Sequence, residues 1–402
     1  MRRFSKSFTQ QEPLSDASID AAVALMRTGR LHRYNLVEGE KGETALFEQE
    51  FADALGVPFA LACASGGYAL QLALRACGLQ HGDAVLCNAF TLSPVPGSIH
   101  AAGGEAVLVD ILDDTTIDPD DLEAAARESG ARFFVLSHMR GHIGDMDAVM
   151  AVCETHGITL IEDCAHTLGA NFAGKPSGTF GKVGCYSTQT YKHLNSGEGG
   201  VLSSDDPEVM RRAVILSGSY MFYDRHLAAP EAAGYGDTRL VTPNMSGRMD
   251  DLRAAVLRPQ LAELEARKER WNALYHRMDA GLSRMERFER VPRHEKEDFV
   301  GSSIQFRLPS LTREDIAGFV AGCAERGIPV KWFGQAQPAD YTSRYDSWGY
   351  LPATRPLPNA DRVLATLCDL RLPLTFDEKD CDDIIQLMDD AMNEVISKSN
   401  TV

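Results

Sequence analysis

The chain of 402 residues contains no apolar run that approaches the roughly 18 to 20 residues a membrane-spanning helix requires, so no membrane span is expected. Positive charge is also scarce: 40 Lys and Arg against 57 Asp and Glu leave a net charge of −17. Such a surface repels nucleic acid and anionic lipid, and no basic patch offsets it, so neither is expected as a partner. Cysteines at metal-binding or redox spacing are missing. The nine present (63, 77, 87, 153, 164, 185, 323, 368 and 381) are odd in number, scattered and never in C-x-x-C order. They read as free thiols in a reducing cytoplasm, small core residues with no metal site. There is no internal repeat and no low-complexity segment. The start, Met1 to Lys6, is basic, but a polar run to Pro13 stands where a secretory signal would place its apolar core, so secretion is not indicated.

What is present is an ordinary globular composition, 44% apolar and 24% charged, in a chain long enough for two domains. From Val57 to about Ser204 short apolar runs alternate with helical spacing. Phe59–Ala64, Ala84–Cys87, Val107–Val109, Phe133–Leu136 and Thr159–Ile161 are expected strands; Tyr68–Cys77, Pro119–Glu128 and Met146–His156 are expected helices, with Asp118 capping the second. This alternation predicts an α/β fold with a mostly parallel sheet covered by helices on both faces. Beyond Arg248 the apolar spacing becomes that of a long charged helix, which Pro259 should kink or start. Ser303–Leu308 and Ile328–Trp332 look like strands, Arg313–Arg326 and Cys381–Ser397 like helices. The expected division is an N-terminal arm or helix over 1–30, a large domain over 31–250, and a linking helix with a smaller α+β domain over 251–402.

The chemistry gathers around Lys192, in the run Gly184 to Gly200, with Ile161-Glu-Asp163-Cys-Ala-His166 upstream. A lysine on a glycine-rich turn between two apolar runs, preceded by an acid at the end of a strand, is what a pyridoxal-phosphate enzyme needs. The lysine forms the Schiff base and the acid keeps the pyridine nitrogen protonated. Asp163 equally fits a helix N-cap. His166 is placed either to stack on the cofactor or to bond its phenolic oxygen. Ser65-Gly66-Gly67, between a strand and a helix, offers N–H groups and a helix dipole to a phosphate, and Ser187 adds a hydroxyl. His138, Arg140 and His142 follow a strand and lie near the same edge. Trp332, Phe333, Gln335, Gln337, Tyr341 and Tyr345 read either as a loop contacting a polar ring or as one packed on the long helix.

The ordered set Ser65-Gly66, Asp163-Cys-Ala-His166, Gly178-Thr-Phe-Gly181, Ser187, Lys192 and Gly197-Glu-Gly-Gly200 resembles the DegT/StrS family of pyridoxal-phosphate (nucleotide-)sugar aminotransferases. The resemblance takes in Phe47-Glu48 and the segment from Asp250 to Leu261. It implies the fold type I aminotransferase architecture and a homodimer with shared active sites. It makes Lys192 the Schiff-base lysine, Asp163 the ring-nitrogen partner, His166 a ring or phenolate contact, and Ser65, Gly66 and Ser187 phosphate contacts. The chain departs from the family in three places. Gly67 replaces a threonine; Leu92, after Thr91, stands where an aromatic residue stacks on the cofactor, with Phe90 adjacent. Ser246 stands where an asparagine reaches the neighbouring subunit's phosphate, with Asn244 nearby. Arg248, Trp332 and His138 are the candidate substrate residues.

The expected activity is transfer of an amino group from an amino acid, which the resemblance makes L-glutamate, to a keto group on a sugar or nucleotide-linked sugar. The alternatives are a pyridoxal-phosphate aminotransferase or lyase acting on a smaller non-sugar substrate, and a non-catalytic regulator that binds the cofactor.

Overall fold

The computed structural model describes residues 2–337, 344–351 and 355–399. A seven-stranded sheet runs in the spatial order Phe59–Cys63, Gly200–Ser204, Val183–Ser187, Thr159–Asp163, Phe133–Ser137, Ala84–Asn88, Glu105–Val109. The four pairings from Val183–Ser187 to Glu105–Val109 are parallel. The two at the other edge are antiparallel. The parallel strands are apolar on both faces because both are covered. Phe134, Leu136, Leu86 and Leu160 pack to one side, with Leu122, Met146 and Val149 of the helices there. Phe133, Val135, Val85, Cys87 and Ile161 pack to the other, with Leu70, Leu72 and Val214. Sequence cues start these helices: the side chains of Asp118, Asp145 and Asp206 accept backbone N–H groups at the heads of Pro119–Ser129, Met146–His156 and Pro207–Ser217.

Over the antiparallel edge lie the helices Glu43–Leu55 and Asp251–Ala262, which bury Phe47, Phe51 and Leu257 against Ala60, Ala62, Tyr186 and Val201. The N-terminal helix Asp16–Thr28 packs on the second of them, where the Ser18 hydroxyl donates to the Val256 carbonyl at 3.0 Å. The expected long helix is two helices. Asp251–Ala262 ends three residues past Pro259, and Leu264–Leu282 begins after Glu263. Proline lacks the N–H that would bond the Ala255 carbonyl, yet the helix carries it inside; the break falls at Glu263.

A second, antiparallel sheet runs in the order Glu289–Arg290, Ser303–Arg307, Leu367–Arg371, Lys331–Trp332. Its expected last strand is reduced to two residues. Side chains alternate along its central strands: Ile304, Phe306, Cys368 and Leu370 join the apolar core, with the helices Arg313–Glu325 and Glu378–Ser399. Ser303, Gln305, Arg307, Asp369 and Arg371 therefore occupy the opposite face. Among the described residues no helix is long and apolar enough to cross a membrane.

Candidate active site

A cavity of about 480 Å³ opens at the carboxyl ends of the parallel strands. Asp163 is the last residue of Thr159–Asp163, and the neighbouring strand places Cys185 opposite it in register. Lys192 sits on the turn of the antiparallel hairpin formed by Val183–Ser187 and Gly200–Ser204. Strand and hairpin are hydrogen-bonded neighbours, so the acid and the lysine reach the same cavity by sheet geometry. Its wall includes Ser65, Gly66, Gly67, Leu92, His166 and Ser187 as well as these two.

The lysine is prepared as a neutral amine. Burial pushes its pKa down to about 7; the Asp163 carboxylate opposes this, while Arg140 and Arg371 add to it. His166 Nε2 lies 2.8 Å from Lys192 Nζ, and the Arg140 backbone N–H points at His166 Nδ1 from 3.3 Å. A nitrogen that accepts an N–H carries no proton, so the neutral imidazole holds its proton on Nε2 and donates it to the lysine nitrogen. Burial and then the charge of Lys192 hold the His166 pKa well below its ordinary value. Arg140 adopts a left-handed backbone (φ 57°), uncommon for a non-glycine residue, in the turn that presents this N–H.

Asp163 is underbonded for a buried carboxylate. One oxygen accepts the Ala165 N–H at 3.2 Å and the other the Ser137 hydroxyl at 3.1 Å. Ser137 in turn accepts from the Thr91 hydroxyl at 2.8 Å. Burial raises the pKa of Asp163, against the pull of the Lys192 charge. A cationic N–H facing this carboxylate would offset that penalty. No helix follows Asp163, since residues 165–169 form turns, so the expected N-cap reading is not met; the Ala165 contact is a local turn that leaves lone pairs free.

The phosphate cradle fits as well. The Ser65 hydroxyl oxygen accepts the Tyr68 N–H, and that of Ser187 accepts the Gln189 N–H, so both O–H groups remain to donate. Gly66 and Gly67 open the helix Gly66–Ala76, where the first N–H groups precede any intrahelical bond. A Cβ on Gly66 would lie 2.8 Å from that of Ser187, and one on Gly200 would lie 2.3 Å from the Ser65 carbonyl oxygen. Turn and hairpin thus meet backbone to backbone.

The structure does not bring every candidate to this cavity. His138 is turned away onto Glu162, at 3.2 Å, and His142 onto Gln305, at 2.7 Å; of that trio Arg140 alone joins the wall. Trp332 is buried and donates its indole N–H to the Ala365 carbonyl at 2.9 Å. Phe333 packs edge-on against Phe90 and the Tyr345 hydroxyl bonds Asp361, so the aromatic residues of this segment are packed as core, Trp332 in the same cluster as Trp271 and Leu274 of the long helix, while Gln335 is half-buried and Gln337 exposed, and neither lines the cavity. Tyr341 lies outside the described residues. Arg248 donates to the Gly218 carbonyl and the Ser246 hydroxyl, and Asn244 and Ser246 are exposed.

Arg371 lines the cavity without a signal in the sequence reading, and Gln189, Tyr191 and Glu198 of the run Gly184 to Gly200 line it too. Glu162, beside Asp163, accepts the N–H groups of Gly178, Phe180 and Gly181 and pins the Gly178–Gly181 loop to the strand end. With His138 and Cys164 it forms a buried trio of metal-ligand type, but these bonds already engage its carboxylate, and the Cys164 sulfur accepts the Ser177 hydroxyl. Cys164 and Cys185 are fully buried on either side of Asp163.

A family model, the DegT/DnrJ/EryC1/StrS aminotransferase family, matches residues 19–389. The L-glutamine:2-deoxy-scyllo-inosose aminotransferase of Streptomyces kanamyceticus is 35% identical over 265 residues, 65% of this chain and 60% of that protein. A protein of the same description from Streptomyces fradiae is 31% identical over 333 residues, 79% of this chain and 76% of that one. The chain thus spans about 60% of the length of the first of these relatives. The crystal structure of 3-amino-5-hydroxybenzoic acid synthase superposes with a TM-score of 0.81 at 24% identity, covering 97% of this chain and 100% of that one, a likeness of fold. The architecture is that of fold type I aminotransferases.

Proposed function

The chain belongs to the DegT/DnrJ/EryC1/StrS aminotransferase family, and from that premise we propose that it is a pyridoxal 5'-phosphate-dependent aminotransferase. It takes an amino group from an amino acid of the glutamate or glutamine class and gives it to a keto group on a sugar, a nucleotide-linked sugar or a sugar-like ring. The named activities of the inosose aminotransferases support the cyclic polyol type of acceptor and L-glutamine as a donor.

When bound, the cofactor supplies an aldehyde carbon for the lysine amine and a ring that draws electrons from the carbon being deprotonated. The residues present fit it. Ser65, Gly66, Gly67 and Ser187 would hold the phosphate, and Asp163 would face the ring nitrogen. Leu92 and Ala165 supply apolar wall. His166 would meet the ring's phenolic oxygen. Lys192 would hold a neutral Nζ able to take a proton from one carbon and return it to another, with His166 beside it. Water exclusion follows from the same burial that lowers the lysine pKa.

We further propose a homodimer in which Asn244 and Ser246 of one subunit approach the other's phosphate site, and a division into residues 1–30, 31–250 and 251–402. Working in the cytoplasm suits an enzyme with nine free cysteines.

The observation that carries this reading is the buried Lys192 amine 2.8 Å from His166 Nε2, in one cavity with an underbonded Asp163. The test is borohydride reduction of the purified protein followed by peptide mass analysis. The cofactor should be fixed to Lys192, and Lys192→Ala should abolish the link. Fixation to another lysine would overturn the assignment.

A further inference from the structure

Arg140 holds a backbone conformation that its own side-chain type does not favour. In an L-residue the left-handed region crowds Cβ against the following carbonyl, so outside glycine, asparagine and aspartate it persists where surrounding contacts hold it. The next residue, Gly141, is left-handed as well (φ 80°), and a Cβ there would lie 3.0 Å from the His166 carbonyl oxygen. An arginine at the first of these two positions is therefore not a local choice. Its side chain supplies the reason. The guanidinium reaches the Asp369 carboxylate at 3.3 Å, and both side chains are buried. Asp369 accepts from Gln305 Nε2 at 2.7 Å, the residue opposite it in register, and Gln305 Oε1 accepts from His142 Nε2 at 2.7 Å. His142 follows Arg140 by two residues. Arg140, Asp369, Gln305 and His142 thus close a ring of buried polar side chains between the loop after Phe133–Ser137 and the second sheet. Among the described residues no other carboxylate pairs with Arg140.

We propose that Asp369 and Arg140 are a positioning pair: the second sheet holds Arg140 in its left-handed turn, so that the Arg140 backbone N–H faces His166 Nδ1 and the His166 proton stays on Nε2, beside Lys192. The inference rests on the aminotransferase reading for the reaction that it serves. Burial, then the charges of Lys192 and Arg140, keep His166 neutral, so what is left to fix is which nitrogen carries its one proton. The Arg140 N–H, 3.3 Å from Nδ1, fixes it. With the opposite tautomer Nε2 would turn a lone pair toward the Lys192 amine 2.8 Å away, and toward any anionic oxygen placed there. Without its anchor, residue 140 would relax toward the ordinary backbone regions, and its N–H would swing off the ring. Asp369 touches neither His166 nor Lys192; it acts through the Arg140 side chain and then the Arg140 backbone.

That route makes a prediction peculiar to it: glycine at 140 should serve better than alanine. Both remove the guanidinium, but glycine takes up the left-handed turn without the Cβ penalty and keeps the N–H in place. The test is nitrogen NMR of the full-length protein labelled at histidine, with the His166 signals identified by their loss in His166→Asn. In the parent, Nδ1 should read as unprotonated and Nε2 as protonated. Arg140→Ala and Asp369→Asn should each shift the tautomer ratio by roughly two- to ten-fold, the scale of one lost hydrogen bond. Arg140→Gly should return the ratio toward that of the parent. In the Arg140→Gly background Asp369→Asn should add nothing, because the anchor then has no side chain to hold; a role through Gln305 alone would add the same shift in both backgrounds. Amino transfer by the holoenzymes, followed by the visible absorbance of the bound cofactor, should slow several-fold in Arg140→Ala and Asp369→Asn and recover in part in Arg140→Gly.

A parent His166 protonated on Nδ1, an Arg140→Ala protein with the parent's signals, or an Arg140→Gly protein shifted as far as Arg140→Ala would each overturn the inference. Full-speed transfer in Arg140→Ala despite a shifted tautomer would overturn the pair's part in the reaction. None of these touches the aminotransferase reading while borohydride still fixes the cofactor to Lys192; absence of that link in the parent overturns the reading and leaves the tautomer measurement to stand by itself. Should Arg140→Ala fail to fold, judged by circular dichroism, Asp369→Asn against Arg140→Gly decides by the same signals.

Discussion

At the scale of single residues the site works by controlling which groups are charged. The Lys192 pKa of about 7 means that protein stripped of cofactor should recapture pyridoxal phosphate at a rate that rises with pH, reaches half its maximum near pH 7 and then levels, since only the neutral amine attacks an aldehyde. A midpoint near the ordinary lysine value of 10.5 would contradict this. The linked stability has a definite sign. Between about 7 and 10.5 the unfolded chain holds the lysine proton and the folded one does not, so this group's contribution to stability increases with pH across that window. Asp163→Asn is nearly isosteric and should fold, yet lose turnover: an ion pair to the ring nitrogen worth roughly 3 to 5 kcal/mol corresponds to about a hundred- to several-thousand-fold in kcat. Near-normal kcat would reduce Asp163 to its turn contact with Ala165. Lys192, Asp163 and His166 were legible because each lies within a few residues of its own turn or strand end. His138 and Trp332 were not, because which way a side chain leaves a strand end depends on partners distant in sequence, Glu162 and Ala365. Arg371 had no local mark, since its neighbours Tyr191 and Lys192 precede it by some 180 residues.

At the scale of elements, the contact that shapes the cradle is between the lysine hairpin and the Ser65–Gly67 turn. Gly200→Ala would drive a methyl to within 2.3 Å of the Ser65 carbonyl oxygen, where the obstacle is backbone and cannot rotate away. It should destabilise the protein by about 1–3 kcal/mol in urea unfolding and weaken cofactor retention. Gly67→Ala is the control: its nearest neighbour atom would be Ser98 Oγ at 3.6 Å, an ordinary contact, so stability should hardly change. Wild-type stability for Gly200→Ala would mean that the two elements part more easily than their packing implies. The parallel strands and capped helices followed from alternation and from Asp118-Pro119, where local chemistry and fold agree. The division of the long helix at Glu263 did not, because the apolar spacing runs on through it into Trp271, Leu274 and Met278.

At the scale of the molecule, the segment 217–248 buries Tyr223, Ala228 and Tyr235 but carries other apolar side chains outward. Tyr220, Met221, Leu240 and Val241 are exposed, the last by 82%. An apolar surface of this kind suits burial against another copy, and Asn244 and Ser246 lie on the same segment. If a partner completes the phosphate site, mixing inactive Lys192→Ala with inactive Arg248→Ala under subunit exchange should restore partial activity, since one composite site in each mixed dimer escapes both defects. A monomer at all concentrations in sedimentation, or a mixture that stays inactive with exchange demonstrated, would count against shared sites. The sequence could suggest this assembly by resemblance alone, because a single chain's apolar pattern does not distinguish residues covered by its own core from those covered by a twin.

Cys164 and Cys185, sealed on either side of Asp163, give the interior a chemical selectivity. Their thiol pKa values are pushed well above the ordinary value, chiefly by burial. The medium that strips the proton from Lys192 therefore keeps it on sulfur, because burial suppresses whichever form is charged. For an amine the suppressed form is the inert one, and for a thiol it is the reactive one. Neither sulfur lines the cavity, so an aldehyde brought into it meets Lys192 as its nucleophile, and burial keeps both neighbouring thiols out of reach and uncharged.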